Sequence, residues 1–150
     1  MTGSRYILLV EDQPDDAALA QRALANIGFA GELVVAHDGI EAIDYLAGSR
    51  ARDTGDAANM PAVVLLDLQL PRIDGFEVLR RIRAHGKTSL LPIVVLTSSR
   101  DARDIAEAYR LGANSYVVKP IGFEHFSSVI AQIARYWLTL NQPADANARF

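Results

Sequence analysis

The sequence contains no cysteine, and this absence removes several classes of protein from consideration. Without thiols the chain cannot form a disulfide scaffold, a thiolate metal site or a cysteine nucleophile. Long apolar runs are missing too, because the run 62–66 ends at Asp67, far short of the roughly 18 residues that a membrane span requires. Residues 1–5 lead into a short apolar run without the longer apolar region of a signal peptide. We therefore expect a cytoplasmic protein without membrane contact.

The sequence also lacks an excess of positive charge. It carries 15 basic and 18 acidic residues, a formal net charge of −3 at pH 7. Nucleic-acid binding draws on clustered Lys and Arg side chains, so we expect no nucleic-acid partner. Half of the 150 residues are hydrophobic, enough to bury the core of one domain. We place that domain at residues 5–140 and expect a flexible tail at 141–150, which is mostly polar or small.

Five short β-rich runs alternate with stretches of helical periodicity. The runs are residues 6–10, 32–36, 62–66, 92–96 and 115–118. Most are apolar at consecutive positions, which is typical of strands buried on both faces. Regular alternation of strand and helix predicts right-handed βαβ units. The fold class is therefore α/β, a doubly wound five-stranded parallel sheet with helices on both faces.

The boundaries of several elements can be placed from residues that begin or end helices. Gly28 and Gly48 are expected to end the first two helices, and Asp74 to begin the third. The fifth helix is expected to span residues 124–140. The connection 48–61 is longer than most loops of compact domains, and we interpret it as an extended loop before the third strand.

Polar side chains follow four of the five strands and should meet at the carboxyl edge of the sheet. These residues are Glu11 and Asp12, Asp67, Thr97, and Lys119. Close carboxylates repel one another unless a cation is present, and Mg²⁺ prefers such oxygen ligands. The arrangement suits a carboxylate nucleophile that attacks phosphorus, because the metal and the lysine neutralise the charge of the transferring group.

Each of these residues has an ordinary structural interpretation when it is taken alone. An aspartate at a strand end most often caps a helix, a Glu-Asp pair is often merely solvated, and a lysine before proline is a turn residue. The joint occurrence of complementary groups at four strand ends favours a functional site.

The motifs resemble those of the receiver domain of two-component response regulators, over residues 5–140. The matching segments are Val10-Glu11-Asp12, Leu65-Leu66-Asp67-Leu68 with Pro71 and Asp74-Gly75, Leu96-Thr97-Ser98, and Tyr116-Val117-Val118-Lys119-Pro120. This resemblance implies a flavodoxin-like fold with strand order 2-1-3-4-5 and a site where the order reverses. The long 48–61 segment, the 71–75 loop and the 136–139 ending also resemble the stand-alone regulators that serve bacterial phytochromes.

The resemblance implies a role for each site residue. Asp67 is the implied phosphoacceptor, and Lys119 is the lysine that pairs with the phosphoryl group. The implied ligands of Mg²⁺, which Mn²⁺ can replace, are Glu11, Asp12, Asp67 and the backbone carbonyl of Gln69. Thr97 and Tyr116 are the implied switch pair. The Lys119–Pro120 bond is expected to be cis. The implied phosphodonor is a sensor histidine kinase, with a bacteriophytochrome as the candidate. The chain is then no enzyme beyond catalysing its own phosphorylation and dephosphorylation.

Three alternatives remain open. The chain could be a phosphorelay intermediate or a phosphate sink for another sensor kinase. It could be an aspartyl-phosphate hydrolase, although Gln69 stands where such enzymes place a second acid. It could be a flavodoxin-like carrier of FMN, although the acidic segment 11–16 would repel the FMN phosphate.

Two further surfaces are predicted from apolar residues. Tyr136, Trp137 and Leu140 lie at the far end of the last helix, and we expect a symmetric homodimer through the fourth helix, fifth strand, fifth helix and C-terminal segment. The kinase is expected to dock at Pro14, Ile121 and Phe123. The last two of these residues could instead staple the start of the fifth helix.

Overall fold

The computed structural model describes residues 5–29, 32–47 and 60–144 of the chain. Its strands are β1 (Ile7–Val10), β2 (Leu33–Ala36), β3 (Val63–Leu66), β4 (Ile93–Thr97) and β5 (Ser115–Val118). They form one parallel sheet in the order β2-β1-β3-β4-β5. The predicted fold class and strand order are therefore confirmed.

Helices connect the strands as the alternation predicts. They are α1 (Pro14–Asn26), α2 (Gly39–Ala47), α3 (Gly75–Ala84), α4 (Ala102–Arg110) and α5 (Phe123–Arg135). No helix in the described ranges is long and apolar enough to cross a membrane.

Two hydrophobic cores cover the two faces of the sheet. Ile7 and Leu9 of β1 point into one core, which α1 and α5 cover, whereas Leu8 and Val10 point into the other, against α2 and α3. All four residues are buried, so β1 is apolar at consecutive positions because each face needs its own core residues.

The end of the fifth helix differs from the prediction of a continuous helix over 124–140. The α-helical part ends at Arg135, and a π-helical turn spans Tyr136–Leu140. Asn141 N donates to Tyr136 O at 2.8 Å, the i to i+5 bond of such a turn. The Arg5 guanidinium donates to the carbonyls of Leu138 (3.4 Å) and Asn141 (3.0 Å), and so satisfies helix-end acceptors.

This turn changes which predicted interface residues are accessible. Tyr136 is 47 % and Leu140 69 % exposed, whereas Trp137 is half-buried against the core under α5. Leu138, which is not among the residues predicted for the interface, is buried, because it lies one turn beyond the buried Ala134.

Two predictions for connecting segments have different outcomes. Residues 48–59 and 145–150 lie outside the described residues, so the extended loop at 48–61 and the flexible tail at 141–150 stay predictions.

The prediction of a cis Lys119–Pro120 bond is wrong, because the described residues contain no cis peptide bond. Trans is the lower-energy isomer of such a bond by roughly 0.5–1 kcal/mol. The turn into α5 is made instead at Gly122, with φ of 96°.

Gly75 lets α3 begin directly against the end of β3. Gly75 N donates to Leu68 O at 2.9 Å, and Asp74 caps the helix by accepting from Glu77 N at 3.0 Å. A Cβ at Gly75 would lie 2.6 Å from Leu68 Cα and closer still to the carbonyl oxygen of Asp67. Only glycine permits this approach without backbone movement.

We predict that Gly75→Ala lowers the free energy of unfolding by about 1–3 kcal/mol, because the added methyl group meets backbone atoms. Gly86→Ala is the matched control, since a Cβ added at Gly86 would have no neighbour within 4 Å. Its effect should stay within about 0.5 kcal/mol. Urea unfolding of both variants measures the difference, and equal stabilities would contradict the close approach.

Candidate functional site

Three carboxylates meet at the carboxyl edge of the sheet. Val10 and Leu66 are paired in register, so Glu11 and Asp67 leave β1 and β3 side by side. The ligand oxygens of Glu11, Asp12 and Asp67 all lie within 4.8 Å of one another. Glu11 and Asp67 are buried, and Asp12 is half-buried. The sequence prediction that these carboxylates converge therefore agrees with the geometry.

Lys119 lies inside this cluster and bonds to three carboxylates. Its Nζ donates to Glu11 Oε1 at 2.6 Å, to Asp67 Oδ2 at 3.0 Å and to Asp16 Oδ2 at 3.0 Å. The lysine backbone N donates to Thr97 O at 2.8 Å, which holds the residue beside the end of β4. An ammonium has three protons, so all three donors are used.

Burial and charge shift the ionisation of this cluster. Burial raises the pKa of Glu11, an effect that the ammonium of Lys119 opposes and the charge of Asp67 reinforces. Burial alone would lower the pKa of Lys119, but its bonds to Glu11 and Asp16 and the charge of Asp67 raise that pKa above its ordinary value. Lys119 therefore stays protonated, and a second cation would favour the ionised form of Glu11.

The cluster fits a hard divalent cation. Oxygens on opposite sides of an Mg²⁺ ion are about 4.2 Å apart, twice the usual Mg–O distance. The carboxylate oxygens, gathered within 4.8 Å of one another, would therefore need to move together by only a few tenths of an ångström (~0.6 Å at most) to share one such ion. Gln69 N donates to Asp67 Oδ1 at 3.1 Å and fixes the orientation of that carboxylate. The role of the Gln69 carbonyl as a ligand stays a prediction.

Asp16 is the site residue that sequence reasoning missed. It follows Asp12 by four positions and lies in the first turn of α1, which places it over the carboxyl edge of the sheet. Placing the start of α1 against the end of β1 would have revealed it, because residues on that turn face the strand ends. Its side chain is 33 % exposed, against 9 % for Lys119.

The predicted switch residues occupy the end of β4 and the middle of β5. Thr97 is fully buried, and its hydroxyl has no hydrogen-bond partner within the described part of the chain. A buried hydroxyl without a partner costs about 1–3 kcal/mol, so an added oxygen ligand would stabilise it. Tyr116 OH donates to the carbonyl of Ser99 at 3.0 Å, and Ser99 Oγ donates to Asp104 Oδ2 at 2.6 Å.

A cavity of about 350 Å³ opens beside Lys119. It is lined by polar residues, Asp16, Ser98, Arg100 and Lys119, and by apolar residues that include Leu19 and Ile121. Ile121 is 91 % exposed, too exposed to staple the start of α5. Phe123 is 39 % exposed, and the guanidinium carbon of Arg22 lies 5.1 Å from its ring centroid, a cation–π contact between α1 and α5.

Known proteins resemble this chain along most of its length. Residues 7–131 match the family described as the response regulator receiver domain. A curated relative from Methanothrix harundinacea, the probable methanogenesis regulatory protein FilR2, is 41 % identical over 91 % of this chain and 85 % of its own.

Solved structures agree with this fold. The phosphorylated cyanobacterial phytochrome response regulator RcpA superposes with a TM-score of 0.85, at 34 % identity over 95 % of this chain and all of its own. The Mn²⁺-bound response regulator Rcp1 gives 0.81, at 31 % identity over 94 % and 99 %. The bacteriophytochrome response regulator AtBRR gives 0.69, at 45 % identity over 93 % and 99 %.

The family match covers more than half of the chain, and the curated relative exceeds 30 % identity along most of it. The matching solved structures agree with the parallel sheet of this chain. The chain therefore belongs to the response regulator receiver domain family.

Proposed function

We propose that this chain is a cytoplasmic response regulator that accepts a phosphoryl group from a sensor histidine kinase onto Asp67, in a reaction that requires Mg²⁺. The observation that carries this proposal is the contact between Asp67 Oδ2 and the Lys119 ammonium, within a cluster of carboxylates that fits a divalent cation. A carboxylate flanked by an ammonium and a metal site is suited to phosphoryl transfer.

In the proposed reaction an Asp67 oxygen forms a bond to phosphorus, while the bond between phosphorus and the imidazole nitrogen of the kinase breaks. Glu11, Asp12 and Asp67 would hold Mg²⁺, which supplies charge neutralisation for the phosphoryl oxygens. Lys119 pairs with a phosphoryl oxygen and reduces the charge on the transferring group. Gln69 N holds the carboxylate of Asp67 in place for attack.

The switch is proposed to run from Thr97 to the surface of β5. A phosphoryl oxygen on Asp67 would accept from the Thr97 hydroxyl, which has no partner among the described residues. Movement of Thr97 would alter the segment after β4, where the Ser99 carbonyl accepts from Tyr116 OH. Tyr116 would thereby transmit the change to the exposed side of β5 and α4.

The upstream kinase is proposed to be a bacteriophytochrome, because RcpA and AtBRR are named as regulators of phytochromes. The kinase would dock at the exposed Ile121 and Phe123, which line the cavity beside Lys119, and at the exposed Pro14, which begins α1. The similarity to a regulator of methanogenesis supports one alternative, a relay or sink that serves another sensor kinase.

A symmetric dimer is proposed through α4, β5, α5 and the C-terminal segment. Every residue of β5 is only half-buried, unlike the fully buried residues of β4. Tyr109 of α4 is 50 % exposed, and Tyr136 and Leu140 extend the exposed apolar surface beyond α5. Apolar residues gathered at one face support an interface between two copies.

We predict that incubation with acetyl phosphate and Mg²⁺ adds one phosphoryl group to the protein, as intact mass spectrometry would detect. Asp67→Asn should remove this gain, because the amide is a poor nucleophile, and a chelator should prevent it in the unaltered protein. Phosphorylation of Asp67→Asn to the same extent would contradict the assignment of Asp67.

A second prediction concerns the metal. At a Mg²⁺ concentration 100 times its Kd, the free energy of unfolding should rise by about 2.7 kcal/mol, because the ion binds the folded cluster. Asp12→Asn should lose most of this gain, whereas Asp15→Asn, an exposed residue outside the cluster, should keep it. Urea unfolding with and without Mg²⁺ measures both, and an equal gain in the two variants would argue against the proposed ligands.

A third prediction concerns the dimer. Leu140→Asp should convert a dimer into a monomer, because the charge would be desolvated in the interface. Leu90→Asp is the matched control, since Leu90 is 55 % exposed and lies between α3 and β4, outside the proposed face. Analytical ultracentrifugation measures the masses, and a dimer that survives Leu140→Asp would refute the proposed interface.

A further inference from the structure

The three carboxylates bonded to Lys119 differ in their relation to the metal cluster. Glu11 and Asp67 belong to the group whose oxygens can share one cation, and Asp16 does not. Yet Asp16 Oδ2 lies 3.0 Å from Lys119 Nζ, the same distance as Asp67 Oδ2. Asp16 is therefore a fixed acceptor for the lysine that neither metal binding nor phosphorylation of Asp67 would consume.

From this contact we propose that Asp16 is a positioning residue, which keeps the Lys119 ammonium aimed at the phosphoryl group during transfer. The inference rests on the proposed function and adds a residue to it. When a cation takes the oxygens of Glu11 and one Asp67 oxygen forms a bond to phosphorus, Lys119 loses two of its acceptors. The Asp16 carboxylate then remains to hold the ammonium.

The local structure makes Asp16 a rigid anchor. It lies in the first turn of α1, which Pro14 begins and which is fixed on the core by Ala17, Ala20 and Leu24. The lysine side chain is flexible, with a compact charge at the end of four carbons, and without an anchor it could take many conformations. A charge-assisted bond to a fixed helix reduces that freedom before transfer begins.

An acidic residue at a helix start has a structural explanation that must be separated from this role. Asp15 and Asp16 both lie in the first turn of α1, where negative charge favours the helix dipole. Asp15 is exposed, and its side chain makes no hydrogen bond or ion pair with any residue that the structure describes. Asp15→Asn therefore removes the same charge from the same turn without touching Lys119.

The first test compares rates of phosphorylation by acetyl phosphate at saturating Mg²⁺. Asp16→Asn should lower the rate constant roughly tenfold, because the amide oxygen accepts from the ammonium more weakly than an ionised carboxylate does. Its Kd for Mg²⁺, measured by calorimetry, should stay within about threefold, since Asp16 is not in the cluster of ligands. Asp15→Asn should match the unaltered protein, and Asp16→Glu should recover part of the rate.

An unchanged or higher rate for Asp16→Asn would overturn the inference, and a higher rate would mean that Asp16 repels the incoming anion instead. Loss of rate together with an equal loss of Mg²⁺ affinity would also overturn it. Failure of the unaltered protein to gain phosphate would count against the proposed function and not against the contact between Asp16 and Lys119. A second measurement tests that contact directly.

The second measurement uses the fact that the sequence has only two lysines, Lys87 and Lys119. Protein labelled with ¹⁵N-lysine and loaded with Mg²⁺ should give a slowly exchanging Nζ signal for Lys119, and Lys87→Arg assigns the other. Asp16→Asn should speed hydrogen exchange of the Lys119 ammonium at least fivefold, whereas Asp15→Asn should not. Equal exchange rates of the Lys119 ammonium in the two variants would overturn the inference. This measurement does not depend on phosphorylation of the protein.

Discussion

The accumulation of carboxylates around one ammonium is the constraint on which the rest of this structure depends. Glu11, Asp12, Asp16 and Asp67 lie near a single lysine that is almost fully buried. Carboxylates at such distances are costly in the interior unless positive charge balances them. Lys119 supplies one positive charge and the proposed Mg²⁺ supplies two more, so folding, metal binding and phosphoryl transfer depend on the same electrostatic balance.

The parallel sheet makes this accumulation possible. Register between β1 and β3 brings Glu11 beside Asp67, while β4 and β5 bring Thr97 and Lys119 to the same edge. The apolar residues of the central strands bury both faces and hold that edge rigid. The close approach of Gly75 to the loop after β3 extends this rigidity to the start of α3.

Features of the fold and the site that depend on neighbouring residues in the sequence could be predicted, and features that depend on tertiary packing could not. Consecutive apolar residues in β1 and β3 predict buried parallel strands, and polar residues at the strand ends predict the site, because both patterns are local. Asp16 was missed because it lies inside α1, in the turn after the strand end, whereas only the residues that directly follow each strand were considered. The π-helical turn at Tyr136–Leu140 and the trans bond before Pro120 were missed because no local pattern in the chain specifies them.

The central claim is that Asp67, among the clustered carboxylates, forms the bond to phosphorus. Reduction of the acyl phosphate with borohydride, followed by peptide mass spectrometry, would locate that bond after phosphorylation by a histidine kinase in Mg²⁺. The account predicts that the aspartate at position 67 alone is converted to homoserine. Conversion at Asp12 or Asp16, with Asp67 unchanged, would contradict it.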